Sequence, residues 1–415
     1  MEWSGAGPND DRAGLLPDDT ADPNARQMAG FKSFFQYASP TRVIAGRDLL
    51  GSTGFEFQKE GAHRVILVTD QVIRGTGLVD KVEAGLTDGG LELAGVFDDV
   101  PQDSSTEVVD RCAEAAKEAG ADSFLAVGGG SVMDTAKVAD AIFSHGGTAR
   151  EQEGFFLMPR EDDGMGRPLD IAPLACIPTT AGTGSEVSMA AVIKDPEEKV
   201  KLEVADFPLF PRLAILDPES TRTLPPRVAA ATGMDAMTHA IESYVCLEWN
   251  PHQDGRALQA LRLIRDNLER AVETPEDDDA RGNMLVAASI AIAIELGSVH
   301  AMSHPAGAQF GVPHGVANAI HLPHVIRFNA VGGADIANRY RDIADVFDLD
   351  GAEALADHVS VVVEHLGLPT RLSQVGVPEE GIPALVEGAM GDGTTLLNPR
   401  EPSEEDYAEL YRKAL

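Results

Sequence analysis

The stretch LAVGGGSVMDTAK, residues 125–137, reads as a buried strand that meets three glycines and then enters a helix starting near Ser131. Glycine lacks a Cβ, so the backbone at Gly129 and Gly130 can turn sharply and lie close to another molecule. The helix that follows offers unpaired amides and a partial positive charge at its start, where a pyrophosphate would sit over Gly129, Gly130 and Ser131. The pattern is not GxGxxG. A plain tight turn with Ser131 as the helix N-cap explains the same residues without any ligand. Asp134, three residues on, is grouped with the candidate cofactor contacts, and its spacing from Ser131 also suits a capping arrangement.

Outward from that turn, residues 31–218 alternate short β-rich runs with helix-patterned segments. The runs are RVILVTD (64–70), LAGVFDDV (93–100), SFLAVGGGS (123–131), PLACIPTT (173–180) and RLAILDP (212–218), with helices expected over 107–119 and 132–143. This rhythm predicts a mostly parallel sheet covered by helices. Asp70 ends one strand, where an acidic side chain in a nucleotide-binding α/β fold accepts hydrogen bonds from ribose hydroxyls and repels a 2′-phosphate, favouring NAD over NADP without excluding the latter. It equally suits the cap of the next helix. A second loop of small residues, PTTAGTGSEVS (178–188), gathers Thr179, Thr180, Thr183 and Ser185 around Gly182 and Gly184, again suited to phosphate or ribose. Two such loops after two strands point to a dinucleotide. Past Leu224 the pattern changes, and Pro225 and Pro226 open a succession of Ala-, Leu-, Glu- and Arg-rich helical segments. The expected organisation is a flexible tail over 1–30, an α/β domain over 31–221 and an all-helical domain over 222–415.

The helical half holds the densest chemistry. Five of the eleven histidines, His300, His304, His314, His321 and His324, fall within 25 residues. Upstream, Asp235 and His239 stand four apart in a run with helical apolar spacing, so both side chains share one face. With Glu242 they make six donors alongside His300, His304 and His314. One carboxylate with several imidazoles suits Fe(II), Zn(II), Mn(II) or Ni(II) better than Mg(II) or Ca(II). A remaining histidine would orient the site or shuttle protons. His321 and His324, near Pro323, read as packing or surface residues.

Composition narrows the alternatives. A hydrophobic share of 43% with 24% charged residues is that of a folded protein. The net charge of −34, with 9 Lys against 24 Arg, repels nucleic acid and anionic membranes. The run EDDD (276–279) reads as a solvated loop. Cys112, Cys176 and Cys246 form no CxxC pair, which fits a reducing cytoplasm. The longest nearly apolar run, 284–294, is too short to span a bilayer and reads as a buried helix.

Taken together, these residues resemble the iron-containing, group III alcohol dehydrogenases, and more distantly glycerol dehydrogenase and dehydroquinate synthase. The likeness covers nearly the whole chain from about residue 31. It is carried by VTD ending at Asp70, GGGSVMDTAK (128–137), PTTAGTGSEV (178–187), LDPESTRTLPP (216–226), TGMDAMTHAIESY (232–244), HAMSHPAGAQFGVPHG (300–315), ANAIHLPHV (317–325) and NPR (398–400). The resemblance implies an N-terminal Rossmann-like, parallel-sheet nucleotide domain and a C-terminal helical metal-binding domain, with metal and nicotinamide facing each other across a cleft. By the same resemblance the metal ligands are Asp235, His239, His300 and His314, with Fe(II) first and Zn(II) or another divalent ion next. His304 is the candidate for proton handling. The cofactor contacts are Asp70, Gly129, Gly130, Ser131, Thr179, Thr180, Thr183 and, in EEKVKLEV (197–204), Lys201. Glu242 is no ligand in that pattern and is left a supporting bond.

The implied reaction is hydride transfer between the carbon of a small alcohol, diol or hydroxy acid and nicotinamide, with the metal polarising the substrate oxygen. A hydroxyacid–oxoacid transhydrogenase would use the same site, and a dehydroquinate synthase-like lyase is the more distant alternative. A homodimer or higher homo-oligomer is also implied. The chain departs from many members at Ala291, Ile292, Ala293 and Glu295, and at PQDSS (101–105), so the contacts to substrate fall outside the resemblance. Ala190 and Ala191 would leave space if they face the substrate.

Overall fold

The computed structural model describes residues 35–155, 171–198, 200–293 and 295–415; the tail expected over 1–30 lies outside them. Among the described residues nine strands form in chain order: β1 (Arg42–Ala45), β2 (Arg64–Val68), β3 (Glu92–Phe97), β4 (Ser123–Gly128), β5 (Gly154–Phe155), β6 (Leu174–Pro178), β7 (Ala190–Asp195), β8 (Val200–Ala205) and β9 (Leu213–Leu216). Six make one sheet in the order β1-β9-β6-β4-β2-β3, with every pairing parallel. Every residue of β4, β6 and β9 is buried. Helices cover both faces of such a sheet, which is why these strands read as unbroken apolar runs.

The connections determine where a ligand can go. From β2 the chain passes to β3 on one side, then returns to β4 on the other. Between β2 and β4 the covering segments diverge and leave a crevice at the carboxyl ends of the strands. Asp70 and Gly129 follow those two ends.

Two features escape the alternating pattern. β1 is a four-residue edge strand of alternating half-exposed residues, too short to stand out from its surroundings. β7 and β8 pair antiparallel, with β5 added parallel to β8, as a separate three-stranded sheet. The expected strands also ran long, because the strand-end residues belong to the loops that build the crevice.

The helical half begins with the 20-residue helix Pro226–Val245, with Pro225 at its N-cap, as the proline pair predicts. Every residue from Gly233 to Val245 is buried. Helices Pro251–Glu273, Asp278–Ala291, Ser298–Phe310 and His314–Ala330 follow. Close approach is required at Gly315, where a Cβ would lie 2.2 Å from the carbonyl oxygen of Ala231. That contact draws the start of one helix onto the Asp235 helix.

The run EDDD is no simple solvated loop. Asp277 caps helix Asp278–Ala291 by accepting from Ala280 N at 2.9 Å. Asp278 pairs with Arg222 at 2.9 Å and with Arg281, and lies 3.9 Å from Arg47, which also pairs with Asp279 at 2.6 Å. Arg47 follows β1, so this arginine cluster ties the sheet to the helices. Among the described residues no helix is long and apolar enough to cross a membrane, and the three cysteines are free and buried.

Candidate active site

Placing Asp235, His239 and Glu242 inside an otherwise apolar, buried helix is costly unless each finds a partner. Oδ1 of Asp235 provides the meeting point. It lies 3.8 Å from Nε2 of His239, 3.9 Å from Nε2 of His300 and 3.5 Å from Nε2 of His314. Four donors at about 2.1 Å from one cation would stand roughly 3.4 Å apart, so this set is close to a ready-made site. The His239 and His300 rings stack with centroids 4.8 Å apart. Burial lowers His239 and His300 to about 4 against the opposing pull of Asp235, and burial also lowers His314. All three are neutral imidazoles at neutral pH, the form that binds metal.

The surroundings orient the donors. Glu242 accepts Val299 N at Oε1 (2.6 Å), and its Oε2 lies 2.6 Å from His300 Nδ1. A carboxylate holding one ring nitrogen leaves the other, Nε2, for the cluster. Glu242 therefore has the supporting bond expected of it. Asn318 was not anticipated. Its Nδ2 donates to Asp235 Oδ1 at 2.7 Å and lies 3.2 Å from His314 Nε2 and 3.4 Å from His300 Nε2, while its buried Oδ1 has no hydrogen-bond partner. The sequence does carry a signal for it, since Asn318 stands four residues after His314 on one helix face.

His304 lies beside the cluster, its ring 5.5 Å from that of His314. Its Nδ1 is 2.7 Å from Oδ2 of Asp392 and 3.9 Å from Oε1 of Glu203. Burial alone would lower the imidazole, but the hydrogen bond and charge of Asp392, with Glu203, outweigh it and raise His304. Burial would raise Asp392, yet His304 and the Thr394 bonds bring it to about 2. His304 is thus the histidine of the group whose hold on a proton its surroundings strengthen. Asp392 has no cue in sequence, since the contact spans 88 residues. Glu203 does have one, being two residues from Lys201 on β8 and hence on the same face.

Across from the histidines, the glycine turn runs into helix Gly130–His145. Gly129, not Ser131, is its N-cap; Ser131 Oγ instead accepts from Asp103 N at 3.1 Å. Asp134 does not cap either. It accepts from Ser185 Oγ at 2.6 Å and Val192 N at 3.1 Å, bracing the second loop against the helix. A Cβ on Gly130 would meet the Thr183 side chain at 2.9 Å, so the two loops press together there. Thr179 N donates to Gly128 O at 2.9 Å. Thr180 Oγ1 is buried without a hydrogen-bond partner among the described residues. Asp70 caps the short helix Gln71–Arg74 by accepting from Ile73 N at 2.9 Å.

A cavity of about 600 Å³ joins these parts. Gly130, Ser131, Asp134, Thr183 and Lys201 line it together with Asp235, His239, His300, His304 and His314. Asp70, Gly129, Thr179 and Thr180 do not line it and sit at the strand ends behind. Ala190 and Ala191 line it, as do Ile292, Ala293 and Glu295.

Residues 40–218 match the model for iron-containing alcohol dehydrogenase, and residues 229–415 match that for the C-terminal part of the Fe-containing alcohol dehydrogenase family. The chain belongs to the iron-containing alcohol dehydrogenase family. This family member is 36% identical over 392 residues to 1,3-propanediol dehydrogenase of Klebsiella pneumoniae, covering 92% of its own length and 98% of the relative. It is 34% identical over 388 residues to the NAD-dependent methanol dehydrogenase of Bacillus methanolicus, covering 91% and 98%. The solved structure of a 1,3-propanediol oxidoreductase superposes with a TM-score of 0.85 at 33% identity, covering 92% of this chain and all of that one. The α/β and helical halves are thus those of an alcohol dehydrogenase of this family, an oxidoreductase.

Proposed function

We propose that this chain oxidises small alcohols, or reduces the matching aldehydes, with NAD as hydride acceptor and a divalent ion held by Asp235, His239, His300 and His314. The observation that carries this reading is the convergence of one carboxylate and three neutral imidazoles on a cavity whose far wall is a glycine turn at a helix N-terminus. In domain terms, residues 31–221 serve the dinucleotide and 222–415 the metal. A bound ion would supply Lewis acidity toward the substrate oxygen; Fe(II) is the first choice and Zn(II) the second, since both accept nitrogen and carboxylate donors.

The chain's own residues do the rest. The amides at Gly130 and Ser131 favour a pyrophosphate, with Gly129, Thr179, Thr180 and Thr183 around it. Lys201 from β8 and Asp134 from the helix face the nicotinamide part of the cavity. Asp70 at the end of β2 favours NAD over NADP. Glu242 keeps the His300 ring in place. With Nδ1 tied to Asp392, His304 has Nε2 left to take the hydroxyl proton during oxidation and return it during reduction, and Asp392 and Glu203 stabilise the imidazolium. Among the described residues the cavity wall carries a lysine but no arginine, unlike a site for phosphorylated substrates. We place the protein in the cytoplasm as a homodimer or higher homo-oligomer.

The test is to purify the protein without chelator or oxygen, quantify bound metals, and follow NADH and NADPH formation with short alcohols, for wild type and His314→Ala. Bound divalent metal and NADH-linked turnover, both lost in the variant, are expected. Metal-loaded protein that never releases NADH would move the reading to a transhydrogenase, and undiminished activity without metal would overturn the ligand set.

A further inference from the structure

Beyond the glycine turn, the cavity wall is unbalanced in charge. Glu203 and Glu248 line it, among apolar residues that include Ile292, Leu296 and Leu396. The ammonium facing the same space, Lys201, lies 3.3 Å from Oδ1 of Asp103. Glu203 has His304 at 3.9 Å, beyond hydrogen-bond reach. Burial raises the carboxyl of Glu203; His304 opposes this, and Asp392 and Glu153 add to the rise. Among the described residues no guanidinium lines that wall to meet a carboxylate carried in by a substrate, and Asp235 already offsets half the charge a divalent ion would bring.

We infer that the site selects small alcohols whose far end is neutral or cationic, diols and amino alcohols above all, and rejects hydroxy acids, with Glu203 and Glu248 as specificity-determining residues. The inference rests on the dehydrogenase reading above. Apolar side chains accept a methylene stem, and the glutamates repel a terminal anion. Repulsion of a unit charge by a nearby glutamate, at the effective dielectric of a partly buried site, changes kcat/KM on the order of 10- to 50-fold.

The test uses the metal-loaded full chain with NAD and measures kcat/KM for butan-1-ol, 1,4-butanediol, 4-aminobutan-1-ol and 4-hydroxybutyrate, which share one stem. Hydroxybutyrate is expected at least about 30-fold below the diol, and the amino alcohol within about 5-fold of it or above it. In the Glu203→Gln/Glu248→Gln double variant the hydroxybutyrate-to-diol ratio should rise at least about 10-fold. A variant that is merely damaged would lower all four together and leave the ratio unchanged, which overturns the proposal. So does wild-type enzyme that oxidises hydroxybutyrate as well as the diol, or that turns over butan-1-ol while ignoring both diol and amino alcohol. No NADH from any of the four, butan-1-ol included, would instead sink the dehydrogenase reading and this inference with it.

Discussion

At the scale of single residues, Asn318 and Asp392 do the most among those outside the candidate donor set. The amide of Asn318 donates into the middle of the donor set, so it holds Asp235 and the histidines together when no cation does so. Replacing it by the similarly sized Leu leaves Asp235 without its buried donor, a loss of about 1–3 kcal/mol. Metal-free Asn318→Leu should therefore melt several degrees below metal-free wild type, and metal should restore a larger share of its stability. An equal drop with and without metal in calorimetry would refute this. Asp392→Asn removes the charge that raises His304. The His304 limb of the pH–rate profile should move to lower pH and kcat fall about 10- to 100-fold, with the melting temperature little changed. An unmoved profile would leave Asp392 a purely structural role. The convergence of Asp235, His239, His300 and His314 was legible because a carboxylate and imidazoles recur there at helical spacing, and the family motif singled out these four from six donors. Asp392 was not, because a contact between residues 304 and 392 leaves no trace in local pattern.

At the scale of elements, buried parallel strands announced themselves by composition, and helices by period. The short edge strand β1 and the β7–β8 ribbon did not, since β8 mixes Lys201 and Glu203 with apolar neighbours and reads as polar surface until the cavity beneath it is seen. EDDD looked like solvated charge because its arginine partners, Arg47, Arg222 and Arg281, are scattered through the chain. Glycines divide sharply by element. A Cβ on Gly315 would collide with the Ala231 carbonyl, so Gly315→Val should push the Asp235 and His314 helices apart. We expect about 1–3 kcal/mol of destabilisation and loss of bound metal by elemental analysis. Gly255, within helix Pro251–Glu273, has nothing within 4 Å of its Cβ position. Gly255→Ala should stabilise by about 0.5–1 kcal/mol in urea unfolding, and a destabilised variant would show that the position has a partner outside this chain.

For the whole molecule, pH and salt act through groups that the fold has buried or paired. His321 is fully buried against Tyr411, with no partner for either ring nitrogen, and burial lowers it to about 3. Its folded value is depressed, so below the unfolded value near 6.5 the unfolded chain takes up a proton that the folded one refuses. Stability then falls by about 1.4 kcal/mol per pH unit for this one group. His321→Leu should flatten the decline between pH 6 and 4 by that slope, measured by urea titrations at several pH values; an unchanged slope would mean that the ring is already protonated or solvated in the fold. Salt is less simple. A net charge of −34 makes the folded chain repel itself, and added ions relieve that strain within a Debye length of about 10 Å or less. The same ions weaken the exposed pairs of Arg47 with Asp278 and Asp279 that bind the sheet to the helices. Melting temperature should thus climb with sodium chloride at first and then level off or turn down, while Asp278→Asn, having fewer such pairs to lose, should keep climbing. One aspartate shared among three guanidinium groups would in that way set the brine at which the enzyme is toughest.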